Sequence, residues 1–97
     1  MLNFQDEEIS KGEKKIREWR VKFIGLRNKF NYSINEKISE QFEDILLSLD
    51  KMKIKVEEFK NPGNKNFESI RDEINGIDKK ISNEYKDIEN KLIENSK

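Results

Sequence analysis

The chain contains no cysteine and no histidine. The first absence removes any disulfide framework or thiolate metal site. The second removes the commonest general base and metal ligand. Alanine and threonine are missing as well. Helices without alanine lack the small residue that brings two backbones close, so spacing set by Ile and Phe side chains is expected between elements. There is one proline, Pro62, and few glycines. No run approaches the ~18 apolar residues of a membrane span. The first residues, Met1 to Glu8, are acidic where a signal peptide would be basic and then apolar. The expectation is a soluble cytoplasmic protein, with export without a cleaved signal left open.

What is present is charge and large apolar residues at regular spacing. Over 97 residues, enough for one domain, 41% are charged and 33% apolar, and the formal net charge is 0. So low an apolar share raises the question of disorder. Against it, the apolar residues are large, with thirteen Ile, six Phe and one Trp, and they recur periodically. Such a chain cannot fill a thick core. A thin seam between helices, or one shared with a partner, fits better.

Asn61-Pro62-Gly63-Asn64 divides the chain. Proline ends a helix and pushes Asn61 out of the helical region. Gly63 supplies a positive φ for a turn, and Asn64 or Asn66 caps the next helix. Before this stop, Ile9, Gly12, Ile16, Trp19, Phe23, Leu26 and Phe30 step by alternating threes and fours, a heptad seam. Gly12 and Gly25 each weaken this helix by about 1 kcal/mol relative to Ala. Ile38, Phe42, Ile45, Leu49, Met52, Val56 and Phe59 form a second seam. Between the two, Phe30, Ile34, Ile38 and Phe42 step by fours, a stutter. Either one helix of about 55 residues absorbs it or the chain breaks near Asn31-Tyr32. A break is favoured, because Ser33 and Glu36 have capping-box spacing. Acids also crowd the start of the second segment and lysines its end, as the helix dipole prefers. The third seam runs Phe67, Ile70, Ile74, Ile77, Ile81, then slips at Tyr85 before Ile88 and Leu92, and its tail from Ile93 is expected to fray.

These patterns predict an all-α fold, an antiparallel three-helix bundle or a coiled-coil hairpin with a turn at 61–64. Residues 1–97 form a single helical domain with helices over about 5–30, 33–60 and 65–95. Ile16, Phe23, Phe42, Ile45, Leu49, Ile70, Ile74 and Ile81 are the predicted core. Leu2, Phe4, Ile24, Met52, Ile54 and Leu92 are predicted to lie beside the seams, as extra apolar groups a lone bundle leaves exposed.

No catalytic constellation is visible. The carboxylate pairs Glu7/Glu8, Glu43/Asp44, Glu57/Glu58 and Asp72/Glu73 are neighbours in sequence on helices, so each pair diverges. Catalysis would need one held dry beside a nucleophile or metal. No phosphate loop or metal-ligand spacing occurs, so neither enzyme activity nor a cofactor is expected. Residues 11–29 are basic, with Lys14, Lys15, Arg17 and Arg20 at their centre and Trp19 and Phe23 interleaved. Such a strip suits a phosphate backbone or an anionic surface. Both aromatics also sit on the heptad seam, where Trp19 is either core or an interface anchor.

Tyr85-Lys86-Asp87-Ile88-Glu89 fits a Tyr-x-x-x-Asp/Glu motif late in the last helix, and Tyr32 and Glu36 repeat the spacing. With its size, helical pattern and lack of cysteine, the chain resembles the small helical proteins of type VII secretion. These are the WXG100 (ESAT-6-like) proteins and the helical partners of LXG toxins. The resemblance implies a helical hairpin that pairs with another helical protein, with Tyr85 and Glu89 contributing to export recognition. The Trp-x-Gly turn of that family is not present: Trp19-Arg20-Val21 has no glycine, and Phe23-Ile24-Gly25 is at most a displaced form. The expected function is therefore a non-enzymatic helical adaptor or partner. A nucleic-acid or anionic-surface binder and a self-associating coiled-coil subunit are the alternatives.

Overall fold

Polar chains with one apolar stripe per helix bury those stripes against one another, and the computed structural model does so with three helices. It describes residues 4–61, 63 and 66–96, with the side chain of Phe4 left aside. Helix α1 spans Phe4–Lys29, α2 spans Glu36–Glu58 and α3 spans Phe67–Asn95, and no strand occurs among the described residues. Phe23 meets Phe42 and Lys60 reaches Glu13, so α1 and α2 run antiparallel. Phe59 stacks on Phe67 and Gln41 reaches Asp87, so α2 and α3 do too. The result is an elongated antiparallel three-helix bundle, 49 × 25 × 15 Å, in which α1 and α3 are parallel and α2 lies between them in the chain path.

The break between α1 and α2 is a single 3₁₀ turn at Asn31–Ser33, closed by Ser33 N–H donating to Phe30 C=O at 2.8 Å. Ile34 is extended, and Asn35 caps α2 by accepting the Ile38 N–H at 2.9 Å. The expected Ser33–Glu36 capping box does not form. Ser33 is taken into the 3₁₀ turn, and Asn35, an equally good cap, starts the helix two residues later. This short bend absorbs the stutter and lets Phe30 and Ile34 both pack on the core. At the second connection Gly63 has φ of 61°, the left-handed value that glycine adopts without strain. Asn66, rather than Asn64, caps α3 by accepting the Ser69 N–H at 2.7 Å. Pro62 and Asn64 lie outside the described residues. Helix α3 continues through Asn95, beyond the expected fraying point at Ile93.

All eight predicted core residues are buried. The whole α2 seam from Ile38 to Phe59 is buried as well. Among the predicted exposed extras, Ile24 and Ile54 are exposed, but Met52 and Leu92 are fully buried. Both lie on the heptad stripe itself rather than beside it, and the stripe decides. Leu2 and the Phe4 side chain lie outside the described residues. Ser48 joins the apolar core as a buried polar residue that periodicity did not mark.

The spacing expected from the lack of alanine is also corrected. Gly12 is buried, and a methyl group at its Cα would run into Val56 Cγ2. Here α1 approaches α2 over a backbone with no side chain, and Gly12 acts as the missing small residue. Gly25 and Gly76 face open space.

Stability measurements can check this arrangement at two positions. Leu49 is buried in the middle of the α2 stripe, and Leu49→Ala should lower unfolding free energy by about 2–5 kcal/mol in denaturant titration. Little change would place the seam on the wrong face. Gly12→Ala should also destabilise, by roughly 1–3 kcal/mol through overpacking against the stiff Val56 side chain. Gly25→Ala and Gly76→Ala should each stabilise by up to about 1 kcal/mol. A stabilising Gly12→Ala would contradict the close approach.

Candidate functional site

The sequence candidates Trp19, Phe23, Tyr85 and Glu89 come together where α1 meets α3. Phe23 is buried and makes edge-on contacts with Phe42 at 5.7 Å and with Tyr85 at 5.6 Å. Trp19 is half-buried, with its ring 5.6 Å from Tyr85. Its indole N–H donates to Asp78 Oδ1 at 2.7 Å, a bond strengthened by the carboxylate charge. Asp78 Oδ2 lies 3.8 Å from Lys15 Nζ, which also donates to Asn75 Oδ1 at 3.2 Å. Lys22 Nζ caps the indole, 4.8 Å from the ring centroid. The slip in the α3 seam has its reason here. Ile81 and Ile88 point into the core, while Tyr85 between them turns toward the α1 aromatics. Burial raises the Tyr85 pKa, and the nearby Glu89 charge adds to the rise. Trp19 and Phe23 are thus occupied in joining α1 to α3, with Asp78 as the partner that sequence reading missed.

The four central cations do not form one strip. Lys14 and Lys15 line a groove of about 450 Å³ between α1 and α3, beside Glu8, Glu18, Arg71 and Asn75. Lys14 lies 3.9 Å from Glu18. Arg17 and Arg20 line a separate groove where α1 faces α2. Successive residues on a helix differ by about 100°, so these four positions span well over half its circumference.

The α1–α2 side carries a second cleft, of about 440 Å³, lined by Phe23, Ile24, Phe42, Leu46 and Leu49, with Arg20, Arg27 and Asp50 at its rim. Ile24 and Leu46 are 61% and 49% exposed, while the other three apolar side chains are buried beneath them. Through Arg20 this cleft continues into a smaller one bordered by Glu13, Arg17, Lys53 and Glu57. The sequence signal was the off-seam pair Leu46-Leu47 together with the off-seam Ile24, of which the sequence reading marked only Ile24.

Elsewhere the polar contacts tie the bundle together. Gln41 donates to Asp87 Oδ2 at 2.9 Å and accepts from Lys91 Nζ at 3.0 Å. Hydrogen bonds from Gln41 first, then from Lys91, lower the Asp87 pKa. Lys55 lies 3.1 Å from Glu73 across α2 and α3. Gln5 donates to the Phe59 carbonyl and pins the start of α1 to the end of α2. Among the described residues, no group of three or more His, Cys, Asp or Glu is placed to hold a metal ion. None of their helices is long and apolar enough to cross a membrane.

Comparison with protein-family models, with curated proteins and with solved structures finds no match for this chain. The functional reading therefore rests on its own residues.

Tyr85 offers a direct check on the α1–α3 contact. In a Tyr32→Phe background, Glu89→Gln should move the Tyr85 pKa part of the way back toward 10.0, since burial is the larger cause and persists. Ultraviolet titration of the phenolate reads this shift, and no shift would separate Glu89 from Tyr85. Because the folded pKa is raised, the unfolded chain ionises first. The contribution of Tyr85 is complete below 10.0 and is lost as pH rises through the folded value, so alkaline unfolding should steepen there.

Proposed function

We propose that this chain is a non-enzymatic interaction protein that binds another helical chain along the side of its bundle. The observation that carries this reading is the pair Ile24 and Leu46. They stand exposed over buried Phe23, Phe42 and Leu49, so the core comes to the surface in one place instead of being capped by polar residues. Val21, Leu47 and Ile54 are exposed on the same two helices but do not line this cleft, so the grouping is that of Ile24 with Leu46. Grouped apolar exposure of this kind marks contact surfaces. A formal net charge of 0 leaves little repulsion to oppose association.

The most specific form of the proposal is a helical partner in type VII secretion, which rests on Tyr85 and Glu89. The nucleic-acid or anionic-surface alternative needs Lys14, Lys15, Arg17 and Arg20 on one strip, and their division between two grooves weighs against it. The self-associating subunit is the same reading with a second copy as partner.

Light scattering after size exclusion decides the matter, run over an about hundredfold concentration range, alone and with the product of the adjacent gene. The expected outcome is a stable complex, with itself or with a helical partner. A monomer at every concentration that binds no helical protein would refute the interaction reading. Binding to DNA or anionic vesicles that collapses with salt, and is lost on neutralising those four cations, would establish the alternative.

A further inference from the structure

The cations of this protein are not distributed evenly by type. Sixteen are lysine and four are arginine, and three of the four arginines, Arg17, Arg20 and Arg27, border the α1–α2 cleft. On other surfaces some lysines meet acids across the bundle, as Lys55 meets Glu73, or along their own helix, as Lys91 meets Asp87. By contrast, none of Arg17, Arg20, Arg27 and Lys53 has an ion-pair or hydrogen-bond partner among the described residues. Glu13 and Glu57, at the far end of the cleft, are within reach of Lys60. Asp50 is the remaining acid, and it too is unpaired among the described residues. Guanidinium groups bind carboxylates through two parallel hydrogen bonds and lose less hydration on burial than ammonium groups, which suits them to interfaces.

We infer that the α1–α2 cleft receives an amphipathic helix of a different protein, its apolar stripe seated on Ile24 and Leu46 and its flanking acids on Arg17, Arg20, Arg27 and Lys53. This rests on the interaction reading above and specifies its partner. From Glu13 to Arg27 the cleft runs about 21 Å along α1, the length of four helical turns. A second copy in the same cleft would set this cationic rim against itself, with one Asp50 per copy to offset it. A phosphate backbone or anionic bilayer would meet Asp50 at the centre of the rim and could not enter between the helices. An acidic helix with one basic residue opposite Asp50 satisfies every unpaired charge of the cleft.

The test uses the full chain and two labelled synthetic helices of about 18 residues with one leucine stripe, flanked by glutamate in one and by lysine in the other. Fluorescence anisotropy should show the glutamate helix binding one to one, with the lysine helix weaker by about tenfold or more. Ile24→Asp and Leu46→Asp should each weaken the glutamate helix by about tenfold, as should joint Arg20→Ser and Arg27→Ser. Ile93→Asp, on α3, should leave binding unchanged, and circular dichroism should find all variants folded, since these side chains are exposed. Equal binding of both peptides, or of neither, would overturn the inference. So would a homodimer that Ile24→Asp dissociates, or binding to anionic vesicles that the same variant abolishes. If light scattering finds a helical complex that Ile24→Asp and Leu46→Asp leave intact, the cleft assignment fails while the interaction reading stands. If there is no complex and no peptide binding, both fail.

Discussion

Everything in this bundle depends on the buried stripe of α2. With only a third of its residues apolar, the chain can supply one stripe per helix. Three stripes close a core only if the middle helix serves both neighbours. All seven seam residues from Ile38 to Phe59 are buried, whereas Ile9, Trp19 and Phe30 on the α1 seam, and Phe67, Ile77 and Tyr85 on α3, are only partly covered. The contact between α1 and α3 is correspondingly thin. It relies on the Trp19–Asp78 hydrogen bond and on Tyr85 set against Trp19 and Phe23. Apolar area buried against α2 provides the driving force, and these polar and aromatic contacts set the register of the third side.

The two ends of the α1–α2 contact differ in what separates the helices. At one end Gly12 meets Val56 with no side chain of its own. At the other, Phe23 and Phe42 meet ring against ring. Helix separation depends on the side chains at the contact, so the aromatic end needs more room. The cleft that exposes Ile24 and Leu46 lies over that aromatic end. The same local choice that packs two phenylalanines therefore leaves apolar surface at the rim. The arginines collected there have no internal acids to satisfy them among the described residues, unlike Lys55 and Lys91.

The surface ion pairs contribute little to this picture energetically. Pairs such as Lys14–Glu18 and Lys91–Asp87 are largely exposed, where solvent and salt screen them. Arg17, Arg20 and Arg27 have no such partner among the described residues, and they are set apart by lying together along one cleft.

The helices, their seams and their antiparallel order were legible in the sequence because each is a local or periodic property. Pro62 and Gly63 mark one connection, the stutter from Phe30 to Phe42 marks the other, and alternating steps of three and four select the buried faces. Met52 and Leu92 were misjudged only where that rule was set aside. What the sequence could not determine is everything that depends on which residues of different helices meet. That Gly12 is a close approach rather than a weak point is due to Val56 facing it, forty-four positions on. That Trp19 is tied to Asp78 is due to the axial offset of α1 against α3. Whether Ile24 and Leu46, on different helices, share a cleft was likewise decided by tertiary structure. Periodicity gives each residue an angle about its own helix, while the relative rotation and spacing of the helices arise only when their side chains interlock.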